Sequence, residues 1–417
     1  MAVAPPQYGE NAEAINCSAG SPSFAYSDYP DEARFVDSVV DHWTMPITVS
    51  AGNRGSSSKT LVVGAHSYNA IVVGAVDDGN NTDRQDPIYD GSSRGPTYGG
   101  RKKPDLVAPG VNINLPNAAG TWLDHTGTSF AAPPVAGAVL LLRQTGLVHP
   151  MALKAVLINT ADDEIVQGDP PGWDNAYGWG YINLEKAYTH RSDYTISWVS
   201  HSTPSRYWKG MMGPGEKATL VWQRHLSYTG PNPPPDPGTL YNLDLYLYKG
   251  GSLIDWSTSS VDNVEQVEGP SPWAEVVLEA REVDIPPEVP YEKFALAFPN
   301  GSFVEVPSPK LAGGKVLRPE RFFLNSNYPN PFNAATAIRF ALPIASYVEL
   351  SVYTLRGQSV RTLAEGRYER GRHQVGWDGK DQGGRDAASG FYFYRLRVTD
   401  SGGRMRFQEA RKMLLLR

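Results

Sequence analysis

The chain has 417 residues, a formal net charge of −6, one cysteine, 41 glycines and 34 prolines. That length holds two to four domains, each able to bury a core. The acidic balance, with no Lys/Arg cluster against it, excludes a nucleic-acid partner from the expected functions, and no apolar run reaches transmembrane length. Cys17 alone allows neither an internal disulfide nor a zinc cage, and it reads as a small buried strand residue.

Met1 to Asn11 has no basic start and no apolar core, so it does not read as a secretory signal. Glu13-Ala14-Ile15-Asn16-Cys17-Ser18-Ala19-Gly20 reads as a strand ending in small residues. Asp31 to Trp43 places Phe35, Val36, Val39, Val40 and Trp43 at helical spacing. Pro46 to Asn53 is a short apolar strand running into a Gly turn, and Ala70 to Val76 is another. Lys103 to Gly110 follows a Gly-rich loop. Strands alternating with helices predict a parallel sheet covered on both faces. In such sheets sites form at the carboxyl ends of the strands. Ser18–Gly20, Ser50–Asn53 and Ser129 fall at or just beyond such ends. Asp77-Asp78-Gly79-Asn80-Asn81 reads as a turn.

The next segment is Gly127-Thr128-Ser129-Phe130-Ala131-Ala132-Pro133-Pro134-Val135-Ala136-Gly137. The apolar run from Val135 to Leu142 predicts a buried helix of about four turns. Ser129 then falls at the helix N-terminus, where unpaired N–H groups and the positive dipole end stabilise negative charge. A serine there is either an N-cap or a nucleophile, and spacing alone favours the cap.

The letters of this segment resemble the motif around the nucleophilic serine of subtilisin-like (S8) serine peptidases. Pro134 departs from it, since the family usually carries a histidine there. That histidine is not the catalytic one, and a second proline is tolerated in a helix's first turn. The resemblance runs from about Glu13 to Ala187. Ile15 to Gly20 resembles the family's substrate-binding strand, so Ser18, Ala19 and Gly20 are implied to pair with the peptide main chain. Ser50, Ala51 and Gly52 resemble the other wall of the specificity pocket. Asn53 is implied to donate its amide to the oxyanion. Gly91 to Pro96, Lys103 to Gly110 and Trp173 to Asn183 also match family segments. Ser129 is thereby implied to be the nucleophile. Taken by itself, Asn53 reads as a turn residue. Loss of one oxyanion donor costs a subtilisin on the order of 3–4 kcal/mol of barrier.

A serine nucleophile needs a base. In the family the catalytic Asp lies in an Asp-Thr/Ser-Gly strand end and the His in a His-Gly-Thr-His-like helix start. Both precede the segment that matches Ser18. Here about a dozen residues precede that strand, and neither Asp-Thr-Gly nor His-Gly-Thr-His occurs in the chain. A triad is recognised by geometry rather than chain order, so the histidines present are candidates too. His42 lies on the first helix, and His66, His125 and His149 lie in or near loops. Each reads first as a surface or packing residue. The expectation is therefore the C-terminal part of a subtilisin-like peptidase, cut before its acid and base. Its parallel-sheet edge would be exposed and its solubility poor.

From Tyr194 to Asn300 apolar and polar residues alternate, as in Thr195–Val199, Ala218–Trp222 and Asn242–Tyr248. This predicts an antiparallel sandwich, with a Pro-rich loop over Pro231–Gly238. Leu243 to Val267 resembles the β-sandwich domains that follow the catalytic domain in many bacterial subtilisin-like proteases. Asp244 and Asp262 offer oxygen donors for a structural calcium ion, but exposed strand-edge carboxylates are the preferred reading. Pro307 to Arg321 is a Pro/Gly/Lys linker. Asn327 to Arg417 opens on Tyr328-Pro329-Asn330-Pro331-Phe332-Asn333 and reads as about seven strands of an Ig-like sandwich. Trp377-Asp378-Gly379 reads as a hairpin turn. This segment resembles the C-terminal sorting domains of type IX secretion cargo and the Ig-like domain of flagellar hook-capping proteins.

The whole reads as an α/β subtilisin-like parallel-sheet domain, N-terminally incomplete, over 1–190. A β-sandwich accessory domain (191–306), a linker (307–322) and an Ig-like sorting domain (323–417) follow. The resemblances imply a serine endopeptidase at the surface of, or secreted by, a Gram-negative-type bacterium. Its partners would be a protein or peptide substrate and the secretion machinery; no cofactor is assigned, and calcium is the candidate structural ion. The alternative is a non-catalytic surface protein that keeps the fold as a peptide-binding groove.

Overall fold

The computed structural model describes residues 12–18, 28–79, 86–163, 172–228, 230, 236–309, 322–324, 327, 332, 335–368, 371–400 and 402–416. Ala19, Gly20, Asn80, Asn81 and most of the Pro-rich loop and linker lie outside them. The described residues before 310 form one compact unit and those after 321 a second.

The first unit is built on a four-stranded parallel sheet in chain order. Its strands are β1 (Ile15–Cys17), β2 (Ile47–Ser50), β3 (Ile71–Val76) and β4 (Leu106–Pro109). Thr48 pairs with Ile71 and Val73 with Leu106. β3 is buried along its whole length, as a strand covered on both faces must be. Helix α1 (Asp31–Trp43) covers one face, with Val39 and Val40 packed on Val49 and Val72. Its length and face follow the helical spacing of its apolar residues. A hairpin of β5 (Ile113–Pro116) and β6 (Trp122–His125) leads into α2 (Thr128–Gln144). Helices α2 and α3 (Pro150–Asn159) cover the other face, on Ile71, Val73 and Ala75.

α2 is apolar on every side, but only one side is buried. Pro133, Pro134, Leu140 and Leu141 form an exposed apolar stripe, with Leu141 at 51% exposure. The expected buried helix is thus half open.

A buried charge cluster ties sheet to helices. Asp105 accepts from Val72 N (2.8 Å) and Lys103 Nζ (2.6 Å), and Lys154 Nζ of α3 lies 3.1 Å from its second oxygen. Lys154 also donates to the Tyr68 and Ala70 carbonyls. Asp37 of α1 accepts from Tyr68 N, Asn69 N and Tyr29 Oη.

After the short helix α4 (Leu184–Thr189) nine strands follow: β7 (Tyr194–Val199), β8 (Ser205–Met212), β9 (Lys217–Trp222), β10 (Leu243–Lys249), β11 (Ser252–Ser257), β12 (Val264–Glu268), β13 (Ala274–Glu282), β14 (Glu292–Ala297) and β15 (Val304–Val306). They form two antiparallel sheets, ordered β11-β10-β13-β8-β15 and β12-β9-β14-β7. Trp208, Leu245 and Leu278 of one sheet meet Trp222 and Phe294 of the other in a common core. The second sheet also seals α3, because Val221, Val264, Ala295 and Ala297 join the core under the parallel sheet. Asn159 at the end of α3 donates to the Phe298 carbonyl (3.1 Å) and accepts from Thr219 (2.8 Å).

Asp244 and Asp262 correct an expectation: both are buried, not exposed at a strand edge. Asp262 accepts from Lys102 N (2.7 Å) and Ser259 Oγ (2.9 Å), so the loop carrying Lys102 covers it. Asp244 accepts from Tyr246 Oη, and burial pushes its carboxyl up to about 6. Among the described residues no group of three or more His, Cys, Asp or Glu is placed to hold a metal ion.

The second unit pairs two antiparallel sheets. One is β16 (Phe323–Leu324), β17 (Thr336–Leu342) and β20 (Gly371–Trp377). The other, in the order β19-β18-β21-β22, joins β18 (Ser346–Thr354), β19 (Ser359–Tyr368), β21 (Gly390–Thr399) and β22 (Met405–Leu415). Ile338, Phe340 and Trp377 pack on Leu350, Tyr394 and Leu396 between them. Gly379 adopts φ +66° in the turn after Trp377, where Asp378 accepts from Lys380 N.

His225 clamps α1 to the accessory strands. Its Nδ1 lies 3.2 Å from Asp41 and its Nε2 2.9 Å from Glu292. Hydrogen bonds to Asp41 and then Glu292 raise its pKa from 6.5 to about 10. A pKa raised on folding adds stability that is complete below the unfolded value and is lost as pH rises through the folded one. The urea-unfolding midpoint of the wild type should therefore exceed that of His225→Gln below pH 6.5, and the gap should close as pH passes about 10.

Candidate active site

Three segments meet at the carboxyl end of the parallel sheet: the end of β1, the turn after β2 and the first turn of α2. The turn after β2 is held from below. Ala51 N donates to the Val73 carbonyl, Val62 N to the Ala51 carbonyl and Ser93 N to the Gly52 carbonyl. Gly52 has φ +110°, and a Cβ there would stand 2.5 Å from Val62 Cγ1. Only glycine fits that backbone and that space. The turn delivers Asn53 to the surface while Ser50, Ala51 and Gly52 stay buried.

α2 starts at Thr128 with Gly127 as N-cap and no side-chain cap. Ser129 is therefore the second helical residue and not the cap. Gly110 lets this turn rest on the sheet: Gly127 N donates to its carbonyl (2.8 Å), and a Cβ on Gly110 would stand 2.8 Å from that of Ala75.

Thr128 joins the turn to the helix. Its backbone N–H donates to Asn53 Oδ1 (2.9 Å), its hydroxyl to the same oxygen (3.1 Å), and the hydroxyl accepts from Gly52 N (3.1 Å). A backbone N–H can only donate, so the atom facing it is the amide oxygen. The Asn53 Nδ2 donor is thereby turned the other way, toward Gly127, where a Cβ would stand 2.9 Å from it. The N–H of the second residue of a helix has no intrahelical acceptor. Asn53 Nδ2 therefore lies beside Gly127 at the start of α2, where the helix dipole adds positive potential.

Ser129 Oγ donates to the Ser18 carbonyl (2.9 Å), and Ser18 Oγ donates to the Ser129 carbonyl (2.8 Å). Ser18 Oγ also accepts from Asn16 Nδ2 (2.8 Å), and Asn16 accepts from Thr48 Oγ1 (3.0 Å). A chain of bonds therefore runs from β2 through β1 into the first turn of α2. The histidines are engaged elsewhere. His42 stacks on Tyr228, His66 meets the Asp28 carbonyl, and His149 caps α3 through Met151 N. His125 stacks on Phe130 at 5.1 Å between ring centres. Burial holds the His66 imidazole down to about 4.

Asn53, Ser129 and Ser18 are thus brought together, and Ser50, Ala51 and Gly52 form the buried base of the turn. Ala19 and Gly20 lie outside the described residues. Sequence reading did not single out Thr128, Asn16 or Thr48. The one available signal for Thr128 was its place between the N-cap glycine and Ser129.

Residues 2–180 match the model of the Subtilase family, and residues 330–403 that of the FlgD Ig-like domain. Serine protease AprX of Bacillus subtilis (strain 168) is 34% identical over 196 residues, 43% of this chain and 43% of that protein. Subtilisin BL of Lederbergia lenta is 34% identical over 173 residues, 41% of this chain and 55% of its own length. The human membrane-bound transcription factor site-1 protease is 37% identical over 164 residues, 36% of this chain and 14% of its own length. A solved structure of the self-cleaved protease domain of PatA aligns at 26% identity with a TM-score of 0.34, over 43% of this chain and 62% of that one. The matched region spans about half or less of each of these three relatives' length. The chain carries a Subtilase-family domain, a class whose relatives are serine proteases, and an FlgD Ig-like domain near its C-terminus.

Two substitutions test this geometry by stability. Thr128→Val should leave the Gly52 N–H short of a partner and cost about 1–3 kcal/mol. Gly127→Ala should destabilise as well, since φ +148° and the Asn53 amide leave no room for a Cβ. Urea unfolding checks both, with Leu141→Ser on the exposed face of α2 as a near-neutral control.

Proposed function

We propose that this chain carries the nucleophile and the oxyanion-stabilising half of a subtilisin-type serine endopeptidase site. In this reading Ser129 Oγ attacks the scissile carbonyl carbon and gives its proton to a histidine held by an aspartate. Both would come from a segment that precedes these residues in the intact protein. The carbonyl oxygen becomes an oxyanion between Asn53 Nδ2 and the Ser129 N–H. The acyl-enzyme forms as the amine leaves with that proton, and water then releases the acid. Ser18 to Gly20 would pair with the substrate main chain, and Ser50 to Gly52 would back the specificity pocket.

The observation that carries this reading is the locked orientation of Asn53. Its oxygen is tied to Thr128, so its donor is aimed before any substrate arrives. That is electrostatic preorganisation of the kind acyl transfer requires. The open apolar stripe of α2, together with a β1 that has a strand on one side only among the described residues, supports a covering segment. An apolar helix face and an unpaired parallel strand are normally covered. Export to the surface of a Gram-negative-type bacterium, with the Ig-like segment as sorting domain, rests on the resemblance of residues 323–417. No described helix is long and apolar enough to cross a membrane.

One observation favours a second reading, a peptide-binding protein without catalysis: the Ser129 hydroxyl is bonded to a carbonyl and not to an imidazole. A fluorophosphonate probe separates the readings. This chain alone should stay unlabelled, and adding the preceding segment should produce labelling that Ser129→Ala abolishes. Labelling of the chain alone, lost in Ser129→Ala, would place a base within these residues. No labelling with the segment restored would favour the binding reading.

A further inference from the structure

At one end of the accessory sandwich two buried oxygens stand two residues apart with no hydrogen-bond donor. Leu243, Leu245 and Leu247 of β10 enter the core between the sheets, so alternation puts Asn242, Asp244 and Tyr246 on the opposite face. Asp244 is 7% exposed. Its Oδ2 accepts from Tyr246 Oη (2.6 Å), and among the described residues its Oδ1 accepts from no group. Asn242 Oδ1, just ahead of the strand, is also buried and bare. Arg281, the cation opposite Asp244 in the register, is committed to Glu279 through Nε (2.7 Å) and Nη2 (2.6 Å). A bare buried acceptor costs about 1–3 kcal/mol, and more when it is charged. Buried charges are normally paired or bound to a metal, so two bare oxygens on one strand face point to an ion.

A third oxygen donor adjoins them. Val283 N donates to the Asn242 carbonyl (3.0 Å), and the next residue, Asp284, accepts from Asn242 N through Oδ1 (2.6 Å). The end of β13 is thereby brought back to the start of β10. Asp284 is exposed, so the set opens to water on that side. It holds two carboxylates and an amide, and every donor is a hard oxygen.

We propose that Asn242 Oδ1, Asp244 Oδ1 and the Asp284 carboxylate bind one calcium ion. An all-oxygen set selects a hard cation over zinc or copper. Calcium takes about six to eight oxygens in loose geometry, water among them, whereas magnesium demands a near-ideal octahedron. With water completing the shell, the dissociation constant should be on the order of 10⁻⁴ M. The ion neutralises the buried Asp244 carboxylate and ties the connection after β13 to the start of β10. The site belongs to the accessory strands and rests on none of the serine chemistry.

The test is terbium luminescence of the full chain at neutral pH, since terbium occupies calcium sites and emits when a neighbouring ring is excited. Tyr246, bonded to Asp244, is placed to excite it. Sensitised emission should appear on adding terbium and be displaced by calcium chloride, but not by magnesium chloride at the same concentration. Asp244→Asn should abolish that component. Asp284→Asn keeps an oxygen for the Asn242 N–H and sits at the surface, so it should fold with an unchanged melting temperature and raise the calcium midpoint about tenfold. Should Asp244→Asn fail to fold, Asp284→Asn decides alone. Emission that Asp244→Asn leaves unchanged overturns the proposal. So does an unshifted midpoint in Asp284→Asn, displacement by magnesium as readily as by calcium, or no sensitised emission.

Discussion

A carboxylate with no access to water, Asp105, sits between two ammonium groups, and the first unit is arranged around it. Lys103 comes from the segment just before β4 and Lys154 from α3, while the Val72 N–H adds β3 to the same carboxylate. Burial pulls the Lys103 ammonium well below the usual lysine range. Such a cluster is weak evidence for net stability, but removing one partner strands a buried charge at a cost of about 3–5 kcal/mol. Its value is positional. It sets β3 against β4, places α3 against the sheet, and lets Lys154 close the Tyr68 and Ala70 carbonyls ahead of β3. α3 in turn carries Asn159, which receives the accessory strands. The peptidase-like sheet and the accessory strands therefore share one core rather than abutting as separate bodies.

The same rigidity reaches the other end of the strands. An exposed asparagine on a glycine turn would ordinarily rotate freely. Here the turn's carbonyls are taken by Val62 N and Ser93 N, and its Gly52 N–H by Thr128. Thr128, with no exposure, then fixes the Asn53 amide with two bonds to one oxygen. A buried threonine thus decides which way an exposed amide points. In the proposed reading, a dipole fixed in this way would need no reorganisation as charge develops.

The elements were legible where local pattern governs. Helical spacing placed α1 over Asp31–Trp43, and continuous apolar runs marked β2, β3 and β4. Ser129 and Asn53 stood out in the sequence because their neighbours form a long motif, and the structure bonds their two segments through Thr128. Thr128 was not, because its partners Gly52 and Asn53 lie about 75 residues away and a Gly-Thr-Ser string has many uses. Asp244 and Asp262 misled for a related reason. Alternation assigns a carboxylate to the face away from the core, but it cannot see a loop such as that of Lys102 folding over that face. α2 misled in the opposite sense. An apolar run predicts burial, yet burial needs a covering element, and none of the described residues covers Pro133, Pro134, Leu140 or Leu141.

In the proposed reading, Ser129 would belong to an oxyanion site that lacks a base within these residues. Its hydroxyl donates to the Ser18 carbonyl, an acceptor that can orient the proton but cannot take it. General-base catalysis contributes about 10²–10⁴ in rate. Donors and binding alone retain about 10³ over water when triad members are removed from serine peptidases. The Ser18 contact must also break before Oγ can turn toward a substrate, and its reciprocal partner, Ser18 Oγ to the Ser129 carbonyl, holds both residues in place. An imidazole at this position would compete for the same hydroxyl with a stronger acceptor. The end of β1 therefore fixes the Ser129 side chain at the sheet's carboxyl end, and in the proposed reading that contact would keep the hydroxyl unreactive until a better acceptor displaced the carbonyl.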